Sequence, residues 1–269
     1  MKLIPPASPE IWRQEPGFVG LCEHIARCAA ICYDSEPKRG GEAVDFVKRL
    51  IEMGHGRPLE FGTLHVKNVT EDDFEGCERL RSYIHRDGEW IYTNLRAWLY
   101  IFGGLDDIEE VCDDFTADID RSPRVTVHYP AIARGIADEF RTHTTLSTLM
   151  QSTRYVRQGK DGDIEFVRPS WLDKADTETR GAFTAGLDHA AALYSHLIDM
   201  RGRKPQEARD ALPLCVKTEM VQCGLVGVAN SGWDNFLHLR TAKAAHPDAQ
   251  WMAKKVHRLL NDEQTRLKF

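Results

Sequence analysis

The chain has 269 residues, 42% of them hydrophobic and 28% charged, which is an ordinary globular composition with enough apolar material for a sizeable core. Its formal charge of −6 at pH 7 excludes a general nucleic-acid binder, so any phosphate site must come from local clusters of Arg and Lys. No apolar run approaches membrane-spanning length, and Pro5-Pro6 falls where a signal peptide needs its apolar stretch, so a cytoplasmic protein with no membrane or nucleic-acid partner is expected.

Helical periodicity covers residues 17–33 and 42–54, the second ending at Gly54 as a C-terminal stop. The seven cysteines (Cys22, Cys28, Cys32, Cys77, Cys112, Cys215, Cys223) are odd in number and form no Cys-x-x-Cys pair, so reduced thiols are expected. His24, Cys28 and Cys32 recur at helical spacing that a metal could use, but ARCAAICY reads more simply as the buried stripe of a helix; no metal is expected. HGRPLEFGTLHVKNV then places His55, Arg57 and Glu60 before an alternating run, Thr63 to Val69, that reads as a strand with one wet face. Residues 71–89 read as a charged helix and a turn at Asp87-Gly88. In YTNLRAWLYIF, Asn94 is a helix N-cap candidate, and Arg96 is either a surface charge or an anion contact. The acidic residues 105–120 read as a solvated helix and loop, and Val125 to Tyr129 as a strand ended by Pro130.

EFRTHTTLSTLMQSTRYVR, residues 139–157, concentrates polar chemistry. With a helical middle, His143, Ser147 and Gln151 share one face and Leu146 and Met150 lie on another. Ser152, Arg154 and Tyr155 add a hydroxyl, a forked guanidinium and a phenol, which suit a phosphate and a flat polar ring. A nucleotide needs both; an amphipathic helix without a site is the plainer alternative. Beyond it, Asp161-Gly162 marks a hairpin turn, Ile164 to Val167 a short strand and residues 176–201 a long helix. Arg240 has Trp233, Phe236, Leu237, Leu239 and Ala242 around it in sequence, so it should be partly buried and need an acceptor. No linker or repeat interrupts the chain, so residues 1–269 read as a single domain.

These segments resemble the flavin-dependent thymidylate synthases. The family pattern runs Arg-His-Arg, two residues, Ser, one residue, Asn-Glu or Gln-Glu, one residue, Ser, one residue, Arg-Tyr. His143, Ser147, Ser152, Arg154 and Tyr155 match it, whereas Thr142 and Thr144 replace the two arginines and Leu149-Met150 the Asn-Glu pair. His55, Pro58, Leu59 and Glu60 resemble a flavin-pocket segment in which Phe61 replaces a second histidine. Asn94 to Trp98, the Ala208-Arg209 to Leu212-Pro213 segment, and Asn235-Phe236 to Leu239-Arg240 with His246-Pro247 resemble further family segments in the right order. An Asn near 229 or 230 is out of step by one residue and stays open.

The resemblance implies an α+β fold, a twisted mostly antiparallel sheet flanked by helices, in a homotetramer with active sites between subunits. It implies transfer of a one-carbon unit from methylenetetrahydrofolate to C5 of a pyrimidine nucleotide, dUMP to dTMP, with FAD as cofactor and NADPH as reductant. By position, Glu139, Gln151, Ser152, Arg154, Arg209 and Arg240 would hold the substrate, with Arg240 and Ser152 closest to the chemistry. His55, Glu60, Arg96, Arg141, His143, Ser147 and Asn235 would hold the flavin. Glu139 stands where the family has a neutral glutamine, and Arg141 is the nearest charge to the missing arginines. Three other readings follow: hydroxymethylation or methylation of another nucleotide (dUMP, dCMP or UMP), a non-catalytic nucleotide- or flavin-binding relative, and a Ser/His hydrolase using His143 and Ser152. The last lacks a Gly-x-Ser-x-Gly elbow.

Overall fold

The computed structural model describes residues 1–67, 84–88, 90–103, 109, 114, 116, 117, 119, 122–160, 162–228 and 232–267. Residues 71–83 of the expected charged helix and turn over 71–89, the end of the expected strand at Val69, most of the acidic segment 105–120, Asp161 and Asn230 lie outside the described residues.

The elements follow in chain order: β1 (Lys2–Ile4), β2 (Glu10–Trp12), α1 (Gly17–Ala30), α2 (Gly40–Glu52), α3 (Gly56–Leu59), β3 (Thr63–Lys67), β4 (His85–Asp87), β5 (Trp90–Asn94) and α4 (Leu95–Phe102). Then come β6 (Arg124–Ala133), α5 (Arg134–Phe140), β7 (Ser147–Met150), β8 (Glu165–Val167), α6 (Thr177–Asp199), α7 (Pro205–Ala208), β9 (Lys217–Leu225), α8 (Gly232–Arg240) and α9 (Pro247–Leu267). The centre is an antiparallel four-stranded sheet in the order β2-β6-β9-β7. A three-stranded antiparallel sheet, β3-β5-β4, and a parallel pair, β1-β8, complete the strands. The mixed fold with mostly antiparallel sheets and flanking helices is the one expected.

β6 is buried on both faces. Val125, Val127 and Tyr129 join Phe140 of α5, Trp233 and Phe236 of α8 and Met252 and Val256 of α9 in one core. On the opposite face, Trp12, Cys28, Ile31, Phe61, Leu149, Val221 and Cys223 form a second. Two helix layers therefore clamp one sheet, and α1 packs with α2, α3 and α4 in a third cluster.

Local signals place several elements where expected. Asn94 caps α4, its side chain accepting from the Ala97 amide at 3.0 Å. α2 stops before Gly54, whose φ of +69° suits a residue without a β-carbon. Three expectations fail. Residues 147–150 form a strand rather than the middle of a helix, because β9 offers a ladder from Cys223 to Met220 and the period-two alternation sends Leu149 to one core and Met150 to the other. His143, Ser147 and Gln151 therefore share no helix face. Pro130 does not end β6; the strand passes through a register shift between Tyr129 and Ile132, where no ladder N–H is required of it. Thr63, Leu64, His65 and Val66 are all buried, so β3 has no wet face over those residues.

Candidate functional site

α5 ends on Phe140, which is fully buried, and this anchors the turn that follows. Glu139, Thr142 and His143 thereby face the last residue of α8, Arg240. Arg240 donates through Nη1 to Glu139 Oε2 at 2.8 Å, through Nη2 to the Glu139 carbonyl at 2.7 Å and Thr142 Oγ1 at 3.2 Å, and through Nε to His143 Nε2 at 2.8 Å. Its side chain is 19% exposed, so the expected partial burial and the expected acceptors are both present. Because Nε2 of His143 accepts, the neutral ring carries its proton on Nδ1. Burial first, and then the Arg240 charge, lower the His143 pKa from 6.5 to about 4. The ring also lies edge-on to Phe236 at 5.0 Å. A guanidinium has five N–H groups, and these contacts use four; one on Nη1 is left for a ligand.

Glu139 also lines a cleft of about 630 Å³. Its lining is mainly apolar, with Ile132, Ile136, Leu214, Trp251 and Met252, and also carries Arg168, His246 and Asp248. A wide apolar recess with a few polar groups is the usual shape of a small-molecule site.

A second group forms where β7 leaves the sheet. The Gln151 amide donates to the Glu219 carbonyl at 2.9 Å and the Ser152 amide to the Cys32 carbonyl at 3.0 Å, which fixes the turn. Ser152 Oγ accepts from the Arg154 amide at 3.2 Å, and Arg209 Nη1 donates to Thr153 Oγ1 at 3.2 Å. Arg154 and Arg209 are exposed on one surface with Tyr155, whose ring lies 5.6 Å from that of Tyr33. Two guanidiniums, a hydroxyl and two rings suit a phosphate with an aromatic base.

The third group sits on α3 and α4. Glu60 is fully buried, and its carboxylate pairs with Arg57 at 2.9 Å and with Arg96. Both guanidiniums remain about half exposed at the surface, and His55 begins α3 as its exposed N-cap. Arg96 is thus an ion-pair partner rather than a lone surface charge.

The expected residues accordingly fall into three groups. Glu139 and His143 bond Arg240; Gln151, Ser152 and Arg154 share one turn, which Arg209 reaches through Thr153; Glu60 pairs with Arg96, with His55 at the start of α3. Among the described residues no hydrogen bond joins one group directly to another. Arg134 ties α5 to the second group, donating to Asp138 Oδ2 at 3.3 Å and to the Gln151 carbonyl at 3.4 Å. Sequence reading missed it, although Arg134 and Asp138 stand at i, i+4 in a helical run. Arg141 points away to Asp138 at 2.8 Å, and Asn235 is half-buried in α8. Ser147 Oγ is buried without a hydrogen-bond partner. Among the described residues no group of three His, Cys, Asp or Glu could hold a metal, and no helix is long and apolar enough to cross a membrane.

Residues 120–263 match the family model described as thymidylate synthase complementing protein. No curated protein matches the chain. Two crystal structures of flavin-dependent thymidylate synthase ThyX from Helicobacter pylori, both with FAD and dUMP, are similar to it. One is 21% identical with a TM-score of 0.40, covering 63% of this chain and 86% of its own. The other is 20% identical with a TM-score of 0.39, covering 64% and 86%.

Proposed function

This chain belongs to the thymidylate synthase complementing protein family, and we propose that it is a flavin-dependent enzyme that transfers a one-carbon unit from methylenetetrahydrofolate to C5 of a pyrimidine nucleotide, converting dUMP to dTMP. The observation that carries the reading is the Arg240 cluster: a part-buried guanidinium fixed by Glu139, Thr142 and His143, with one N–H uncommitted, beside an apolar cleft.

Two features support FAD. Ser147 Oγ is an orphaned buried group of the kind that a flavin's polar edge satisfies. Arg57 and Arg96, held on buried Glu60, present half-exposed guanidinium edges that suit a diphosphate. His55, Glu60, Arg96, His143, Ser147 and Asn235 are the residues assigned to hold it; Arg141, turned onto Asp138, is the weakest of the set. When bound and reduced by NADPH, FAD supplies hydride chemistry that no side chain can.

The chain's own part is positioning and charge. Arg154 and Arg209 neutralise the nucleotide phosphate, Ser152 adds a hydrogen bond to it and Gln151 sets the turn that carries Ser152 and Arg154. Arg240 aims its remaining N–H at the pyrimidine edge and stabilises negative charge there as C5 becomes nucleophilic. His143, neutral with its proton on Nδ1, fixes the Arg240 plane without adding a second positive charge. No cysteine nucleophile is called for. The site is completed between subunits of a homotetramer, a reading supported by the lack, among the described residues, of any hydrogen bond between the Arg154 and Arg209 surface and the Arg240 group.

One observation favours a variant of this reaction. Glu139 brings a carboxylate to the cleft, and a carboxylate accepts from an exocyclic amine, so dCMP is the second substrate to try, and hydroxymethylation the second outcome. The test is an absorption spectrum of the purified protein before and after FAD addition and desalting, followed by the mass of the product from dUMP with methylenetetrahydrofolate and NADPH. Retained flavin bands that bleach with NADPH, and a product heavier by one CH2 unit, a methyl group in place of hydrogen, are expected. Arg240→Ala should abolish turnover while leaving the circular dichroism spectrum unchanged. A protein that binds dUMP but stays colourless and inert with every cosubstrate would be a binding relative instead.

A further inference from the structure

The two-pronged pair of Arg13 with Glu263 of α9, at 2.6 and 2.7 Å, ties the two ends of the chain to each other. A second long-range clamp, made by Gln222, ties down the turn that carries the Arg240 acceptors. Gln222 lies in β9 opposite Thr148 of β7, and its side chain is fully buried. A buried carboxamide is costly unless its groups are paired, and here both N–H groups and the oxygen are. Nε2 donates to the Phe140 carbonyl at 3.2 Å and to Thr148 Oγ1 at 3.1 Å, while Oε1 accepts from the Tyr129 hydroxyl at 3.2 Å. A carbonyl can only accept, so the Phe140 contact fixes which end of the amide is nitrogen.

These partners bracket one turn. Phe140 closes α5, and its carbonyl also accepts from the His143 amide at 3.2 Å. The His143 carbonyl in turn accepts from the Leu146 amide at 3.0 Å, and β7 begins at Ser147. Gln222 therefore holds the head of the turn at Phe140 and its tail at Thr148 with one planar group. Thr142 and His143 stand between those points and Glu139 stands just before them; together they supply the four contacts of Arg240. Among the described residues Gln222 makes no hydrogen bond to Arg240 itself, so its influence on the guanidinium passes through the turn.

We propose that Gln222 is a positioning residue for Arg240: from the core it sets the turn over 140–148, and the turn sets the plane of the guanidinium. Releasing the clamp lets the acceptors of Arg240 drift, and in a preorganised site such drift costs rate more than binding. The effect on turnover rests on the reading of Arg240 given above; the effect on geometry does not.

Gln222→Met keeps the length and bulk of the side chain and removes its hydrogen bonds. In the full-length variant the His143 ring should titrate above its value of about 4, toward 6.5, because it loses burial and the Arg240 charge beside it. The Arg240 Nε–H NMR signal should shift and exchange faster with water. With dUMP, methylenetetrahydrofolate, FAD and NADPH, kcat should fall by on the order of a hundredfold while the nucleotide KM stays within about twofold, since Arg154 and Arg209 lie off this turn. Tyr129→Phe removes only the hydroxyl that holds Oε1 and should move both NMR signals the same way by less; it decides if Gln222→Met does not fold. Should the unaltered protein show no turnover, the NMR signals decide the positioning by themselves. A folded Gln222→Met that is less stable but leaves the His143 titration and the Arg240 signal in place would overturn the proposal.

Discussion

His24 and His143 are both buried, and both release their proton near pH 4 rather than 6.5. Desolvation is the larger cause for each; Arg27 and Arg124 add to it for His24, and Arg240 for His143. Since the folded-state values lie below the unfolded ones, the unfolded chain binds more protons between them. Stability from these two residues is therefore complete above about pH 6.5 and falls progressively toward pH 4, where the imidazoles are forced to charge in place. For the fully enclosed His24, a shift from 6.5 to about 4 corresponds to roughly 3 kcal/mol. Urea midpoints measured at pH 7, 5.5 and 4.5 should fall in that order, and His24→Gln should flatten the decline. A profile unchanged by that substitution would show that other groups control the acid limb. Arg240 was readable in sequence as a buried guanidinium because apolar residues surround it; that His143 and Glu139 are its partners was not, since about a hundred residues separate them.

At the scale of elements, α1 shows how a single missing β-carbon sets a crossing. A β-carbon added to Gly20 would lie 2.3 Å from the Glu15 carbonyl oxygen and 2.7 Å from its carbon, both main-chain atoms that cannot swing aside. Gly20→Ala would gain about 1 kcal/mol of helix propensity and lose more to overpacking, typically 1–3 kcal/mol or beyond, so the net effect is destabilising. Thermal unfolding should show a lower Tm; an unchanged or higher one would mean the entry to α1 relaxes freely. Elements of this kind were legible where their signals are local: the Gly54 stop, the Asn94 cap, the long amphipathic α6. β7 was not. Ser147 to Met150 carry a pattern that serves either period, and what makes them a strand is a ladder with residues about 70 positions later. Pro130 misled for a related reason, because a register shift beside it depends on β9 and not on its own neighbours.

For the whole molecule, the separation of the Arg154 and Arg209 surface from the Arg240 cluster makes a prediction about assembly. If each site takes its phosphate contacts from one subunit and its guanidinium cluster from another, Arg154→Ala and Arg240→Ala proteins should each be inactive alone. Mixed under conditions that exchange subunits, they should recover roughly a quarter of the native activity, the fraction of sites that draw both intact residues by chance. No recovery, with light scattering showing mixed oligomers, would place both groups in a site built by one chain.

The two-pronged contact between Arg13 and Glu263 joins residues 250 positions apart. A contact that spans so much of the chain forms only once the sheet between its two ends is in place, because closing a loop of that length costs chain entropy before it returns anything. It therefore belongs to the native side of the folding barrier, where it slows unfolding and does little to speed folding.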